Sequence, residues 1–156
     1  MEESPWYDEV VIPALLRHAR HTYGKAMRAA LAQAGYDDIP GNGLYIIGGL
    51  ALDRERIPLR QLVKQLGITK QGAGQLVDTL VMRGYLSRTV DENDRRQLNV
   101  TLTPRGQAAA EVQSAAREAI DAELIDRVGE DDIRAARRVL GTLIEMRSEE
   151  TEAEAT

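Results

Sequence analysis

Cysteine is absent from the 156 residues, which excludes structural disulfides, thiolate metal sites and cysteine-based redox chemistry. Histidine occurs only twice, at His18 and His21, so a histidine-rich metal centre is not expected, nor is any cofactor. No apolar run reaches the roughly 18 residues that a membrane-spanning helix requires. The opening MEESPW is acidic and lacks the apolar segment of a secretory signal, so a cytoplasmic protein without a membrane partner is expected. No phosphate loop, nucleophile–base set or metal-ligand spacing is visible, so the chain is not expected to be an enzyme.

What is present suffices for one folded domain with a real core, since 43% of the residues are apolar. The formal net charge is −5, yet it is unevenly spread. Between Arg54 and Arg105 ten basic residues face five acidic ones, so this segment carries +5 and the remainder −10. Such asymmetry fits one surface that meets a polyanion and another that stays solvated. It also fits basic residues scattered over a solvated face.

Punctuation and periodicity divide the chain. Pro13 suits the first turn of a helix whose apolar residues, from Leu15 to Ala34, recur every three to four positions until Gly35. Gly41 to Leu52 reads as a short buried helix despite four glycines. Asp53 to Ile57 allows a short strand, and Pro58 to Leu66 a second short helix stopped by Gly67. Thr69 is placed to cap a helix over Gln71–Arg83. The period then changes to two over Tyr85–Val90 and Gln97–Leu102, strands joined by the polar turn Asp91–Arg96. Thr103-Pro104 opens a long helix to Val128, Gly129 breaks it, and Glu130-Asp131-Asp132 starts the last one. Ser148 to Thr156 is acidic and reads as a disordered tail.

Helix, short turn, helix and hairpin in this order form a helix-turn-helix followed by a β-wing. On a helical wheel Ala73, Leu76, Val77, Leu80 and Val81 share the inner side of the second helix. Gln71, Gly74, Gln75, Asp78 and Met82 share the outer side, with Lys70 at its start. Glutamine can pair with adenine, and lysine with guanine or phosphate, when a helix enters the major groove by its N-terminal residues. Gly72 and Gly74 each cost this helix about 1 kcal/mol against alanine. Either they let the backbone approach DNA, or they accommodate a neighbouring helix. At the hairpin tip Arg95 and Arg96 suit a narrow minor groove. Asp94 beside them is expected to pair with an arginine and orient it.

The stretch LVKQLGITKQGAGQLVDTLVMRGYLSRTVDENDRRQLNVTLTPRG resembles the winged-helix core of the MarR family of bacterial transcriptional regulators. Asp91 to Gly106 carries the most specific part of the likeness and Leu76 to Arg88 the next. The resemblance implies a mostly α fold with a small β-wing, a winged helix-turn-helix with N- and C-terminal dimerisation helices. It implies an N-terminal dimerisation helix over 1–36, a DNA-binding lobe over 37–105, C-terminal dimerisation helices over 106–147 and the tail over 148–156. It also implies a homodimer on a pseudo-palindromic double-stranded DNA operator, acting as a repressor whose affinity a small, often aromatic and anionic, effector modulates. Thr69, Lys70, Gln71, Gly74 and Gln75 become the recognition residues, Arg88, Arg95 and Arg96 those of the wing and its flanks, and Asp94 the wing-orienting residue. Arg17, His21 and Tyr45 line an effector pocket on this reading, or else lie at a helix interface and in solvent. Without cysteine the peroxide-sensing branch is excluded, and two histidines argue against the zinc-sensing one. Glycine at 72 and 74 departs from the family's usual residues, so base specificity cannot be carried over. A dimeric ligand-binding protein without an operator is the alternative.

Overall fold

Pro13 lies in the first turn of α1 (Ile12–Gln33), where its missing N–H leaves no helical bond unmade. The computed structural model describes residues 4–53, 57–58, 64, 67–96 and 98–154. They divide into two compact units, 1–117 and 118–156. In the first unit a single 3-10 turn, Trp6–Glu9, precedes α1. Gly35, at φ 86°, ends α1. Behind it the Tyr36 N–H returns to the Leu31 carbonyl at 2.8 Å and the Gly35 N–H to Ala32 at 3.1 Å. This left-handed glycine stop satisfies carbonyls that the helix end leaves open.

The glycine-rich segment forms α2 (Gly43–Asp53). Its Leu44, Ile46, Ile47 and Leu50 are almost wholly buried, so this helix is central to the core. Strand β1 (Ile57–Pro58) follows, and Pro58 pairs there with Asn99 instead of opening a helix. An edge strand accommodates proline because no ladder donor is needed on its outer side. The rest of the helix expected over 59–66 lies outside the described residues, save Lys64, which is helical.

Helix α3 (Lys70–Met82) comes next, then β2 (Leu86–Val90) and β3 (Leu98–Leu102). The sheet is antiparallel in the order β1-β3-β2, with Leu86 opposite Leu102 and Val90 opposite Leu98. The hairpin therefore gains a third strand through β1. Helix α4 (Pro104–Val128) starts directly from β3. Its Ala109 and Ala110 enter the core shared by Met27, Leu31, Ile47, Val77, Leu80, Tyr85 and Val100. Gln113, also buried, donates to the Leu44 carbonyl at 2.9 Å and so ties α4 to α2. The compact unit therefore takes in α1 and α4 as far as Arg117, beyond the expected 37–105 lobe.

In the second unit Gly129, at φ 84°, separates the end of α4 from α5 (Glu130–Glu154). Three carboxylates occupy the first turn of α5, where the helix dipole favours them. Leu124, Ile125 and Val128 of α4 are substantially exposed, as are Val139, Leu140, Leu143, Ile144 and Met146 of α5. Helix α5 runs through Glu154, which corrects the disordered tail expected from Ser148. No glycine or proline interrupts that stretch, and glutamate and alanine favour helix.

The first unit is joined at one corner. Gly84, at φ 80°, ends α3 as Gly35 ends α1, with the Tyr85 N–H returning to Leu80 at 2.9 Å. The Tyr85 carbonyl then accepts the Thr103 N–H at 3.0 Å. Thr103 caps α4, its hydroxyl accepting from Gly106 N at 3.1 Å and donating to the Gly84 carbonyl at 2.5 Å. A Cβ on Gly106 would lie 2.1 Å from the Tyr85 carbonyl oxygen, so only glycine fits. The two tyrosines behind these helix ends, Tyr36 and Tyr85, meet edge to face at 6.2 Å. Arg105 lies 4.6 Å from the Tyr85 ring centre and 5.6 Å from that of Tyr36, and pairs with Asp38 at 3.3 Å. The Tyr85 hydroxyl donates to the same Asp38 oxygen. That bond is the main reason the Asp38 carboxyl titrates below its ordinary 3.8, and burial pushes the Tyr85 phenol up.

Two outcomes follow from this corner. Gly106→Ala should lose about 3 kcal/mol of stability in urea unfolding, because the clashing partner is backbone. A carboxyl held below 3.8 adds stability that is complete above that pH and lost as pH falls through the lowered value. Tyr85→Phe should therefore be less stable than the native chain at neutral pH, with the gap narrowing below pH 3.8 in denaturant titrations.

Candidate nucleic-acid interface

Gly67, at φ 63°, turns the chain towards α3, and Thr69 caps that helix by accepting the Gly72 N–H at 3.1 Å. The Thr69 hydroxyl thus makes the expected cap. Ala73, Val77 and Leu80 of α3 are fully buried, and Leu76 and Val81 half-buried. This is the inner side read from the helical wheel. Lys70, Gln71, Gln75, Asp78 and Met82 are exposed. The structure therefore brings Lys70, Gln71 and Gln75 to one exposed surface of the first two turns.

The two glycines of α3 differ. Among the described residues a Cβ on Gly74 would meet nothing within 4 Å. A Cβ on Gly72 would come within 3.1 Å of the Thr69 hydroxyl, the capping atom itself. Gly72 thus gives the cap room, whereas Gly74 answers to nothing among the described residues.

The wing tip is built by two aspartates. One Asp91 oxygen accepts the N–H groups of Asn93 at 2.8 Å and Asp94 at 3.1 Å, and the other accepts the Asn99 amide at 3.1 Å. Asn99 is buried, so this bond also satisfies a buried polar group. Asp94 accepts the backbone N–H of Arg96 at 3.0 Å. Among the described residues it forms no ion pair with Arg95 or Arg96, which corrects the expected arginine pairing: the short Asp94 side chain reaches the main chain two residues on. Arg95 and Arg96 are exposed, and among the described residues no carboxylate pairs with either.

Arg88, expected on the wing flank, is ion-paired with Asp78 and links β2 to α3. Arg83 donates to the Asp38 carbonyl and supports the corner behind the helix. In α1, Arg17 and His21 are exposed one turn apart. Tyr45 is half-buried, with Arg20 over its ring at 4.3 Å. Among the described residues neither Arg17 nor His21 makes a polar contact with Tyr45. No group of three or more acidic or histidine side chains among the described residues is placed to hold a metal, and no described helix is long and apolar enough to cross a membrane.

Sequence reasoning does not single out Asp91, Asp38 and Arg105 as organising residues. Asp91 carries a local signal, aspartate followed by polar residues at the positions an Asx turn uses. Asp38 and Arg105 are 67 positions apart and carry none. The repeated Gly-Tyr pairs, 35–36 and 84–85, are legible once both are known to follow a helix.

Residues 38–97 match the model of the MarR family. No curated protein matches the chain. Among solved structures it is similar to MepR of S. aureus in its DNA-binding conformation, at 20% identity and TM-score 0.74, over 88% of this chain and 98% of that one. It is similar to FabT of Streptococcus pneumoniae in complex with DNA, at 20% identity and TM-score 0.73, over 88% and 96%. It is also similar to NadR in complex with 4-hydroxyphenylacetate, at 21% identity and TM-score 0.71, over 92% and 97%. Residues 38–97 thus match the MarR-family model, and the chain has the fold of these solved structures.

Proposed function

We propose that this chain is a homodimeric, sequence-specific DNA-binding regulator, a cytoplasmic repressor whose affinity a small ligand lowers. The observation that carries the reading is the exposed start of α3. Lys70, Gln71 and Gln75 stand clear of the core there, beside a glycine that no contact among the described residues requires. On this reading the two glutamines read base edges in the major groove and Lys70 reaches guanine or phosphate. The bare Gly74 lets the helix backbone approach the duplex. Arg95 and Arg96 enter the minor groove, held by the two aspartate-organised turns. FabT and MepR have been solved with DNA, which supports the same use of this fold here.

Dimerisation is supported by the apolar side chains that each unit leaves uncovered. Trp6, Tyr7, Val11 and Ile12 are exposed near the N-terminus, and Leu143, Ile144 and Met146 on α5. Two lobes on one duplex then require half-sites about one helical turn, 34–36 Å, apart. Ligand control is supported by the NadR complex with 4-hydroxyphenylacetate. Arg17, His21 and Tyr45 remain the proposed anionic-effector residues, with Arg20 already over the Tyr45 ring.

Arg96→Ala should weaken operator binding and reduce the log–log salt slope by about one for each phosphate the arginine neutralises, with the dimer intact in sedimentation. An unchanged affinity would remove the wing from the interface. Gly74→Leu should strengthen α3 by up to about 1 kcal/mol and still impair operator binding. Tighter binding by that variant would contradict the close approach.

A further inference from the structure

Burial holds α1 to the winged helix only lightly. Among the described residues α1 buries Gly24, Met27 and Leu31 alone, all in its second half. The turn behind it makes the polar contacts, and they converge on Asp38. Arg83, at the end of α3, donates to the Asp38 carbonyl. The Tyr85 hydroxyl, just before β2, donates to one Asp38 carboxylate oxygen. Arg105, in the first turn of α4, donates to that same oxygen at 3.3 Å and to the Tyr85 hydroxyl at 3.0 Å. Asp38, Tyr85 and Arg105 thus close a ring of polar contacts. Two of the donors that reach Asp38 are cations, and bonds with a charged partner are the stronger kind. Tyr36, two residues before Asp38, packs on the Tyr85 ring, and its N–H closes the end of α1 on Leu31. The clasp therefore runs from the last turn of α1 to the last turn of α3.

We propose that Asp38 is a positioning residue for DNA recognition. By holding Tyr85 and Arg105 to the turn behind α1, its carboxylate fixes the tilt of α3 against α1. Its consequence for DNA rests on the homodimer proposed above, in which that tilt sets the separation of the two recognition helices. A carboxylate repels phosphate, so Asp38 acts through the helix and not on the duplex. A loose tilt would have to be ordered each time two half-sites are engaged together, which weakens binding. A single half-site asks nothing of the separation.

The test joins a distance measurement to a spacing series. Because the chain has no cysteine, Ala29→Cys and Met82→Cys, both at exposed positions, place one spin label on α1 and one on α3. Double electron–electron resonance, with labelled chain diluted in unlabelled chain, should give one narrow distance distribution. Asp38→Ala should broaden it, and so should Tyr85→Phe, which keeps the ring in the core and removes only the hydroxyl. On the selected operator, without the labels, both variants should bind about tenfold more weakly than the native chain. They should bind a single half-site as the native chain does. They should also discriminate less against operators with a base pair added or removed between the half-sites. An unchanged distance distribution in both variants would overturn the positioning role. Equal losses on half-site and operator by folded Tyr85→Phe would make the clasp a general stabiliser and overturn it equally. The resonance arm uses no DNA, so broadening in a chain that selects no operator supports the fixed tilt and overturns only the function proposed above.

Discussion

The approach of the Tyr85 carbonyl to the bare α-carbon of Gly106 is the constraint on which the winged helix depends. One peptide ends α3, receives the last wing strand through Thr103 N–H, and lies against the first turn of α4. None of the three elements can shift without disturbing a backbone hydrogen bond. The Tyr85 side chain extends the join to the end of α1 through Tyr36 and to the following turn through Asp38. Arg105 lies across both rings and pairs with the same carboxylate. The orientation of α3 is thus locked to the first turns of α4.

With its inner end locked, α3 is free to be unusual at its outer end. Its start carries two glycines that lower helix propensity, offset by the Thr69 cap and by burial of Ala73 and Val77. The glycines serve different needs. Gly72 gives the cap room, while Gly74 leaves the exposed side bare. Ion pairing of Arg88 with Asp78 fastens the wing to the same helix.

Most of this architecture is legible in the sequence because its signals are local. Gly35, Gly67, Gly84 and Gly129 mark stops, and all four have positive φ. Thr69 and Thr103 read as caps, and both hydroxyls accept the expected N–H. The helical wheel separates the buried from the exposed residues of α3 because its 3.6-residue period is unbroken. What stays hidden depends on distance along the chain. Nothing in the neighbourhood of Asp38 announces Tyr85 or Arg105, and Pro58 reads as a helix start until Asn99 is known to pair with it. Adjoining arginines suggest a charged partner for Asp94, but the backbone N–H is closer to hand. The acidic end reads as disordered from its charge, yet the absence of any breaker leaves α5 free to continue.

The central claim is that the exposed start of α3 and the wing together select a DNA sequence. The most direct measurement is selection of bound fragments from random-sequence DNA by the purified protein, read by sequencing. The account predicts an inverted repeat with half-sites about one helical turn apart, 34–36 Å. Recovery of no sequence above background, by a folded dimer at low salt, would contradict it.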